Sequence, residues 1–271
     1  MDYHSFHEMA IRMLTELSDF VPDRVCESIV KTLSANTLTE KERAFQRFST
    51  FWKLTTDSKY LIQYDITKVG LFKMLDFLDD DNPLIRHSAK SWLQDSIMNF
   101  HKILDTLFES LLSSTNWYSS DSGQFFYSNY YNIKEVAECF KRFKNILIAV
   151  SDLFMKYVTE VDVENRRVLE LAQKLEDKDW LAKGKNFTYI KLLIITCLRY
   201  IQGQALDGIK STFIDENQSV NASACEFLSF LFKHIDNREL NVEATVYISH
   251  PLLITQAHAL KNSDYVLQIQ L

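Results

Sequence analysis

Two histidines three residues apart, His4 and His7, are the first pair in the chain whose type and spacing suit a metal ion, since positions i and i+3 share one face of a helix. Zinc requires three or four donors, and no Cys, Asp or further His stands at ligand spacing from this pair, so it reads as part of a solvated terminal helix. The acid run Asp79-Asp80-Asp81 has the charge to attract a cation, yet it lies just before a helix start, where the helix dipole stabilises carboxylates unaided. Cys26, Cys139, Cys197 and Cys225 are scattered without C-x-x-C spacing and read as reduced, buried thiols, which favours a cytoplasmic location. His87, His101, His234, His250 and His258 are dispersed singles with no nucleophile signature beside them, and no G-x-S-x-G, H-E-x-x-H or EF-hand pattern occurs. Phosphate-cradling loops are excluded too: Gly203 and Gly208 are the close glycine pair, while Gly70, Gly123 and Gly184 stand alone. The residues therefore assign no catalytic centre, no metal and no cofactor, and the chain is expected not to be an enzyme.

The elements that hold these residues are legible in the composition. The 271 residues include Gly 5 and Pro 3, about 3% together where roughly 12% is usual. Sandwiches, barrels and doubly wound sheets need frequent Gly- or Pro-marked turns, so an all-α chain with short polar links is expected. A hydrophobic fraction of 46% and a charged fraction of 24% are those of an ordinary globular protein. The net charge of −6 gives poor footing for phosphate-backbone binding, which argues against nucleic acid as the main partner. His4, His7, Glu8 and Arg12 interrupt the N-terminus where a signal peptide needs an apolar run, and Lys191 and Arg199 interrupt the most apolar stretch, Ile190 to Ile201. No membrane-spanning segment is expected.

Apolar residues recur at helical spacing along most of the chain. Phe6, Met9, Met13, Leu14 and Leu17 line one face of a first helix; Val25, Ile29, Val30 and Leu33 line that of a second, with Pro22 between them. Thr39 and Glu42 fit a capping box that opens a helix carrying Phe45, Phe48, Phe51 and Trp52. Further helices are expected near 67–78, 83–99, 101–112, 133–158, 163–175, 186–201, 219–235 and 251–261. Between 113 and 132 the rhythm stops in a Ser- and Asn-rich stretch with seven aromatics: Trp117, Tyr118, Phe125, Phe126, Tyr127, Tyr130 and Tyr131. It reads as a long loop inside the domain. No Lys or Arg falls between Lys102 and Lys134, so the rings lack the cationic half of a nucleic-acid platform. Two roles remain for them, packing back on neighbouring helices or docking a protein partner; the seven rings are the candidate partner-binding residues.

A repeat can be checked by position. Asn82-Pro83 opens a helix whose Ile85, Ala89, Trp92 and Leu93 make one face. Asn217, Val220, Ser223, Ala224 and Leu228 reproduce Asn82, Ile85, Ser88, Ala89 and Leu93 at an offset of 135, with Asp215 in the place of Asp80. Three repeats of about 45 residues fill that interval, within the HEAT and armadillo range. A weaker copy, Asn165, Val168 and Ala172, makes the array irregular. The expected architecture is a HEAT/armadillo-like solenoid of stacked antiparallel helix pairs, residues 1–271 forming one helical-repeat domain or a fragment of a longer solenoid.

The runs Arg47 to Thr55, Gly70 to Leu78, Ala89 to Leu93 and Ile103 to Leu107 resemble the Dopey family of large cytosolic proteins, and the closing Asp264 to Leu271 is similar to a helix start of the same kind. The resemblance implies a peripheral scaffold at Golgi and endosomal membranes, working in vesicle traffic with a large Arf-exchange-factor-like protein and with phospholipid flippases. It transfers no catalytic residue. Dopey proteins are far longer than this chain, and the last apolar residues, Val266, Leu267, Ile269 and Leu271, lack a C-cap, so continuation into another helix pair and self-association through that end are expected. The alternative is a HEAT-like adaptor of another assembly, such as a channel auxiliary or a cytoskeletal complex. A basic membrane-facing helix has its nearest candidate at Ile133 to Val158, with Lys134, Lys141, Arg142, Lys144 and Lys156, but Glu135, Glu138 and Asp152 dilute its charge. Any membrane association is accordingly expected to be indirect.

Overall fold

Eleven α-helices and one short hairpin account for most of the described residues of the computed structural model, which are 3–56, 64–96, 99–113, 117–119, 125–127, 132–159, 166–173, 188–202 and 211–234. The chain divides into two compact units, Met1–Thr106 and Leu107–Leu271.

The first unit holds α1 (Tyr3–Phe20), α2 (Pro22–Leu33), α3 (Leu38–Thr56), α4 (Tyr64–Asp76), a single 3-10 turn (Phe77–Asp79), α5 (Pro83–Asp95) and the start of α6 (Phe100–Leu111). Each connection is set by local chemistry. Pro22 starts α2 where its missing N–H leaves no bond unmade, and Val21 is the one residue between α1 and α2. The box that opens α3 is Thr37/Glu40, two residues before the expected pair: the Glu40 amide donates to Thr37 Oγ1 at 3.4 Å, and that hydroxyl donates to Glu40 Oε2 at 2.6 Å. The sequence T-L-T-E-K-E fits the pattern twice, and the earlier register is the one that lets Lys41 N bond Thr37 O at 3.0 Å and begin the helix sooner. Asn82 caps α5 as expected, its Oδ1 accepting from the Leu84 amide at 2.9 Å.

Packing in this unit runs between neighbours and next-neighbours in sequence: α1 on α2 and α3, α2 on α3 and α4, α3 on α4, and the 3-10 turn against α4 and α5. Val25, Leu33, Phe45, Phe48, Trp52, Leu71, Leu75, Ile85, Ala89 and Leu93 are buried. Trp52 meets Trp92 edge-on with ring centroids 6.1 Å apart, and Phe45 meets Phe77 at 5.9 Å. At Gly70 the helices α3 and α4 come so close that a Cβ would collide with the Phe48 ring.

The second unit holds the remainder of α6, β1 (Trp117–Ser119), β2 (Phe125–Tyr127), α7 (Ile133–Ala149), α8 (Ser151–Thr159), α9 (Arg166–Gln173), α10 (Tyr189–Gln202) and α11 (Ser211–His234). Here α7 packs on α11, bridging the three helices between them in sequence, while α10 lies against α8, α9 and α11. Aromatic rings fill the centre: Phe108 lies 5.3 Å from Phe143 and 5.9 Å from Tyr189, and Phe140 meets Tyr200 edge-on at 5.5 Å. The buried Tyr200 hydroxyl donates to the Leu111 carbonyl at 2.6 Å, satisfying one of the orphan acceptors at the C-terminus of α6. The segment expected as one helix over 133–158 is two, because the chain breaks at Val150 between α7 and α8.

The positional repeat holds for burial and fails for helix starts. Ile85, Ala89 and Leu93 are buried, and so are Val220, Ala224 and Leu228, 135 residues on. But Asn217 and Asp215 lie inside α11, which starts at Ser211, whereas Asn82 caps a helix and Asp80 sits in the link before it. Ser211 to Asn217 contain no Pro or Gly to stop a helix, so α11 begins earlier than the Asn217 signal. Val168 of the weaker copy is buried, and Asn165 lies outside the described residues, as do the expected helix at 251–261 and the closing segment 264–271.

Candidate interaction surface

The aromatic stretch 113–132 contains a hairpin where a loop is expected. β1 and β2 pair antiparallel with Trp117 opposite Tyr127, Tyr118 opposite Phe126 and Ser119 opposite Phe125. Aromatic residues favour strands, and Ser120, Asp121, Ser122 and Gly123 between the two runs are turn-type residues, so the composition that marked the stretch also explains its pairing. Five of the seven candidate partner-binding residues, Trp117, Tyr118, Phe125, Phe126 and Tyr127, are thereby brought onto two adjacent strands. Tyr130 and Tyr131 lie outside the described residues.

The apolar face that periodicity marks on α1 is the second surface. At that spacing an apolar face is expected to turn inward. Instead Phe6, Met9, Met13 and Leu17 are 57%, 59%, 57% and 51% exposed, and Phe20 at the helix end is 83% exposed. The inner side of α1 carries Ile11 and Ser18, both buried, and the half-buried Leu14 and Thr15. The signal for this was present: apolar residues fall on both sides of α1, and a helix apolar on two faces needs two neighbours. Arg12, Glu16 and Asp19 are exposed beside the outer stripe.

Between α1, α2 and α3 lies an open hollow of about 170 Å³, lined by Leu14, Ile29, Thr32, Phe48 and Phe51, with Arg47 as its one charged residue. A catalytic pocket needs convergent titratable groups. One guanidinium against apolar walls is instead the composition of a docking groove.

The titratable groups elsewhere hold structure. Burial raises the pKa of Asp80, but the Lys41 ammonium at 2.9 Å from Oδ2, the Asn82 amide at 2.9 Å from Oδ1 and the nearby Arg86 outweigh it and keep the carboxyl below its ordinary 3.8. Arg86 Nη1 also donates to the carbonyls of Asp80 at 2.5 Å and Asp81 at 2.9 Å, tying the link to α5. The acid run is thus occupied by the chain's own cations and amides. Burial pushes the Cys225 thiol up to about 11, and burial followed by the proximity of Cys225 raises Cys197 well above its usual range; these thiols stay protonated near neutral pH. Among the described residues no group of three or more His, Cys, Asp or Glu is placed to hold a metal ion. The basic face suggested for α7 and α8 is interrupted: Arg142 is buried and pairs with Glu138 at 3.2 Å, and Lys144 pairs with Glu226 at 2.6 Å. Among the described residues no helix is long and apolar enough to cross a membrane.

Helices that pack on neighbours and next-neighbours in sequence, with an apolar face and an apolar groove left open, make up the first unit. Residues 1–101 match the family model of DOP1B-like TPR repeats, so over this part of its length the chain is similar to that family. The match coincides closely with the unit Met1–Thr106 and includes α1, the groove, and the Arg47–Thr55, Gly70–Leu78 and Ala89–Leu93 runs. The matched repeats are described as TPR where HEAT/armadillo-like repeats were expected; both are helix-pair repeats, and they differ in period, 34 residues against about 40–47. The starts of α1 and α3, at residues 3 and 38, are 35 apart, close to the TPR period, whereas those of α3 and α5, at 38 and 83, are 45 apart. No curated protein and no solved structure matches the chain.

Proposed function

We propose that the chain is a non-enzymatic helical scaffold of the Dopey type, built as a solenoid of helix pairs, that works in vesicle traffic between endosome and Golgi by holding protein partners. The observation that carries this reading is the family match over residues 1–101. It is supported by the kind of surface the first unit offers, an apolar helix face and a groove without titratable groups converging on it, which suits protein recognition. Partners of the class implied are a large Arf-exchange-factor-like protein and phospholipid flippases, which would bring the chain to the membrane indirectly. The hairpin aromatics Trp117, Tyr118, Phe125, Phe126 and Tyr127, with Tyr130 and Tyr131, are assigned as partner contacts, because rings supply large contact area for little side-chain entropy.

Capture with the tagged full chain from cytosol tests both parts. Recovery of an Arf-exchange-factor-like protein is expected, whereas enrichment of channel or cytoskeletal subunits in its place would favour an adaptor of another assembly. Trp117→Ala and Phe126→Ala should each reduce capture roughly thirtyfold, corresponding to about 2 kcal/mol for a hot-spot ring, with the melting midpoint unchanged. A lowered midpoint with undiminished capture would make the rings structural and remove them from the binding site.

A further inference from the structure

The outer face of α1 has an order that a generic sticky surface lacks. Phe6, Met9, Met13, Leu17 and Phe20 are spaced so that the two ends mirror each other about Met13: Phe6 and Phe20 lie seven residues to either side, and Met9 and Leu17 four. Reversed end to end, the stripe again reads aromatic, flexible apolar, Met, flexible apolar, aromatic, with Met9 and Leu17 exchanging places. Arg12 and Glu16, one turn apart, flank the stripe along one edge, and both are exposed.

We infer that α1 is the seat of a two-fold symmetric contact with a second copy of this chain, the two helices running antiparallel with Met13 on the axis. In that arrangement Phe6 of one copy meets Phe20 of the other, and Met9 meets Leu17, so every exposed ring and thioether gains an apolar neighbour. A two-fold axis perpendicular to the helices sets like edges against each other. Arg12 of one copy then faces Glu16 of the other, and the pair is repeated by symmetry, offset along the helix by about 3 Å, within an arginine's reach. A parallel pair would instead set this charged edge against the opposite edge, where Ala10 and Leu14 lie, and leave both charges unmatched. The charges therefore select the orientation, and the apolar stripe supplies the affinity.

Two further observations choose this occupant over others. A lipid surface is disfavoured, because the Asp, Glu, Lys and Arg residues of α1, namely Glu8, Arg12, Glu16 and Asp19, sum to −2 where an interfacial helix carries a basic face. The extent also fits: five half-exposed or better large side chains present on the order of 500 Å² per copy. The pair thus buries about 1,000 Å², at the small end of specific interfaces, where reversible dimers in the micromolar range belong.

Sedimentation equilibrium of the full chain from about 1 to 100 μM should show reversible monomer–dimer exchange. Met13→Glu places two like charges on the axis and should weaken dimerisation at least tenfold without changing the circular dichroism spectrum, since Met13 is solvent-facing. Arg12→Glu and Glu16→Arg should each weaken it, and the double exchange should restore it. Under mild oxidation Met13→Cys should form a disulfide-linked homodimer above the level given by the native thiols. Phe6→Cys and Phe20→Cys should each fail to link to themselves and should link to one another when mixed. A chain monomeric throughout the range overturns the inference. So does a Met13→Glu variant that dimerises as the unaltered chain does, which would move self-association to another surface such as the closing segment 264–271, or a double exchange that restores nothing.

Discussion

Asp80 shows how a side chain with the look of a ligand becomes a fastener. Its carboxylate accepts from Lys41 and from the Asn82 amide, so the link between the 3-10 turn and α5 is held to α3 by one residue. Because Lys41, Asn82 and Arg86 together hold its folded pKa below the ordinary 3.8, the folded state binds the proton less readily than the unfolded chain does. The stabilisation is therefore fully present above about pH 4 and is lost as pH falls through the lower folded value. Urea midpoints measured between about pH 6 and pH 2 should fall for the unaltered chain, and Lys41→Met should both lower the midpoint at neutral pH and flatten the acid limb. An acid limb unaltered by Lys41→Met would show that Lys41 contributes nothing to the shift. Three adjacent acids give the sequence no way to show which one Lys41 reaches, so the triplet alone does not identify Asp80.

At the scale of elements, the approach of α4 to α3 at Gly70 makes a prediction whose sign opposes helix propensity. Replacing a glycine in a helix interior by alanine ordinarily stabilises by about 1 kcal/mol. At Gly70 the added methyl meets the ring of Phe48, itself buried, so overpacking of about 1–3 kcal/mol is expected to prevail. Gly70→Ala should lower the thermal midpoint, and Phe48→Leu added to it should recover part of the loss although Phe48→Leu alone is destabilising. A stabilised Gly70→Ala variant would mean that the ring swings aside freely. This contact was invisible in the sequence, where Gly70 was an isolated glycine without a motif. What was legible was whatever local chemistry determines: the helices, the Asn82–Pro83 start, and the faces of α5 and α11 on which Ala89 and Ala224 are buried alike. The first turn of α3 could be read in two registers because two S/T-x-x-E patterns overlap. The outward side of α1 was missed because periodicity finds an apolar face and is blind to whether another element covers it. The pairing of β1 with β2 was missed because two three-residue strands are too short to establish an alternating pattern.

For the whole molecule, the feature that matters most is that the boundary between the two units, after Thr106, falls inside a helix. In α6 the residues before it, Phe100, Ile103 and Leu104, and those after it, Leu107, Phe108 and Leu111, are all fully buried. The end of the helix is fixed by Tyr200, and Thr106 returns its hydroxyl to the Lys102 carbonyl at 2.7 Å within the same helix. Helix formation is cooperative, so melting at one end of α6 propagates along its hydrogen bonds. The family match ends at residue 101, in the first turn of this helix, so the Dopey-like unit and the unit that follows it share one element rather than a polar linker. The two units are accordingly expected to unfold together, in a single calorimetric transition. Thr106→Pro removes a hydrogen bond from the interior of α6 at a cost of about 3 kcal/mol and uncouples its two halves. The expected result is two resolved transitions, with the aromatic core around Phe108, Phe143 and Tyr189 melting first because it loses the helix that carries Phe108. Two transitions already present in the unaltered chain would show that α6 transmits nothing, and one lowered but undivided transition in Thr106→Pro would show that the units are joined by more than this helix.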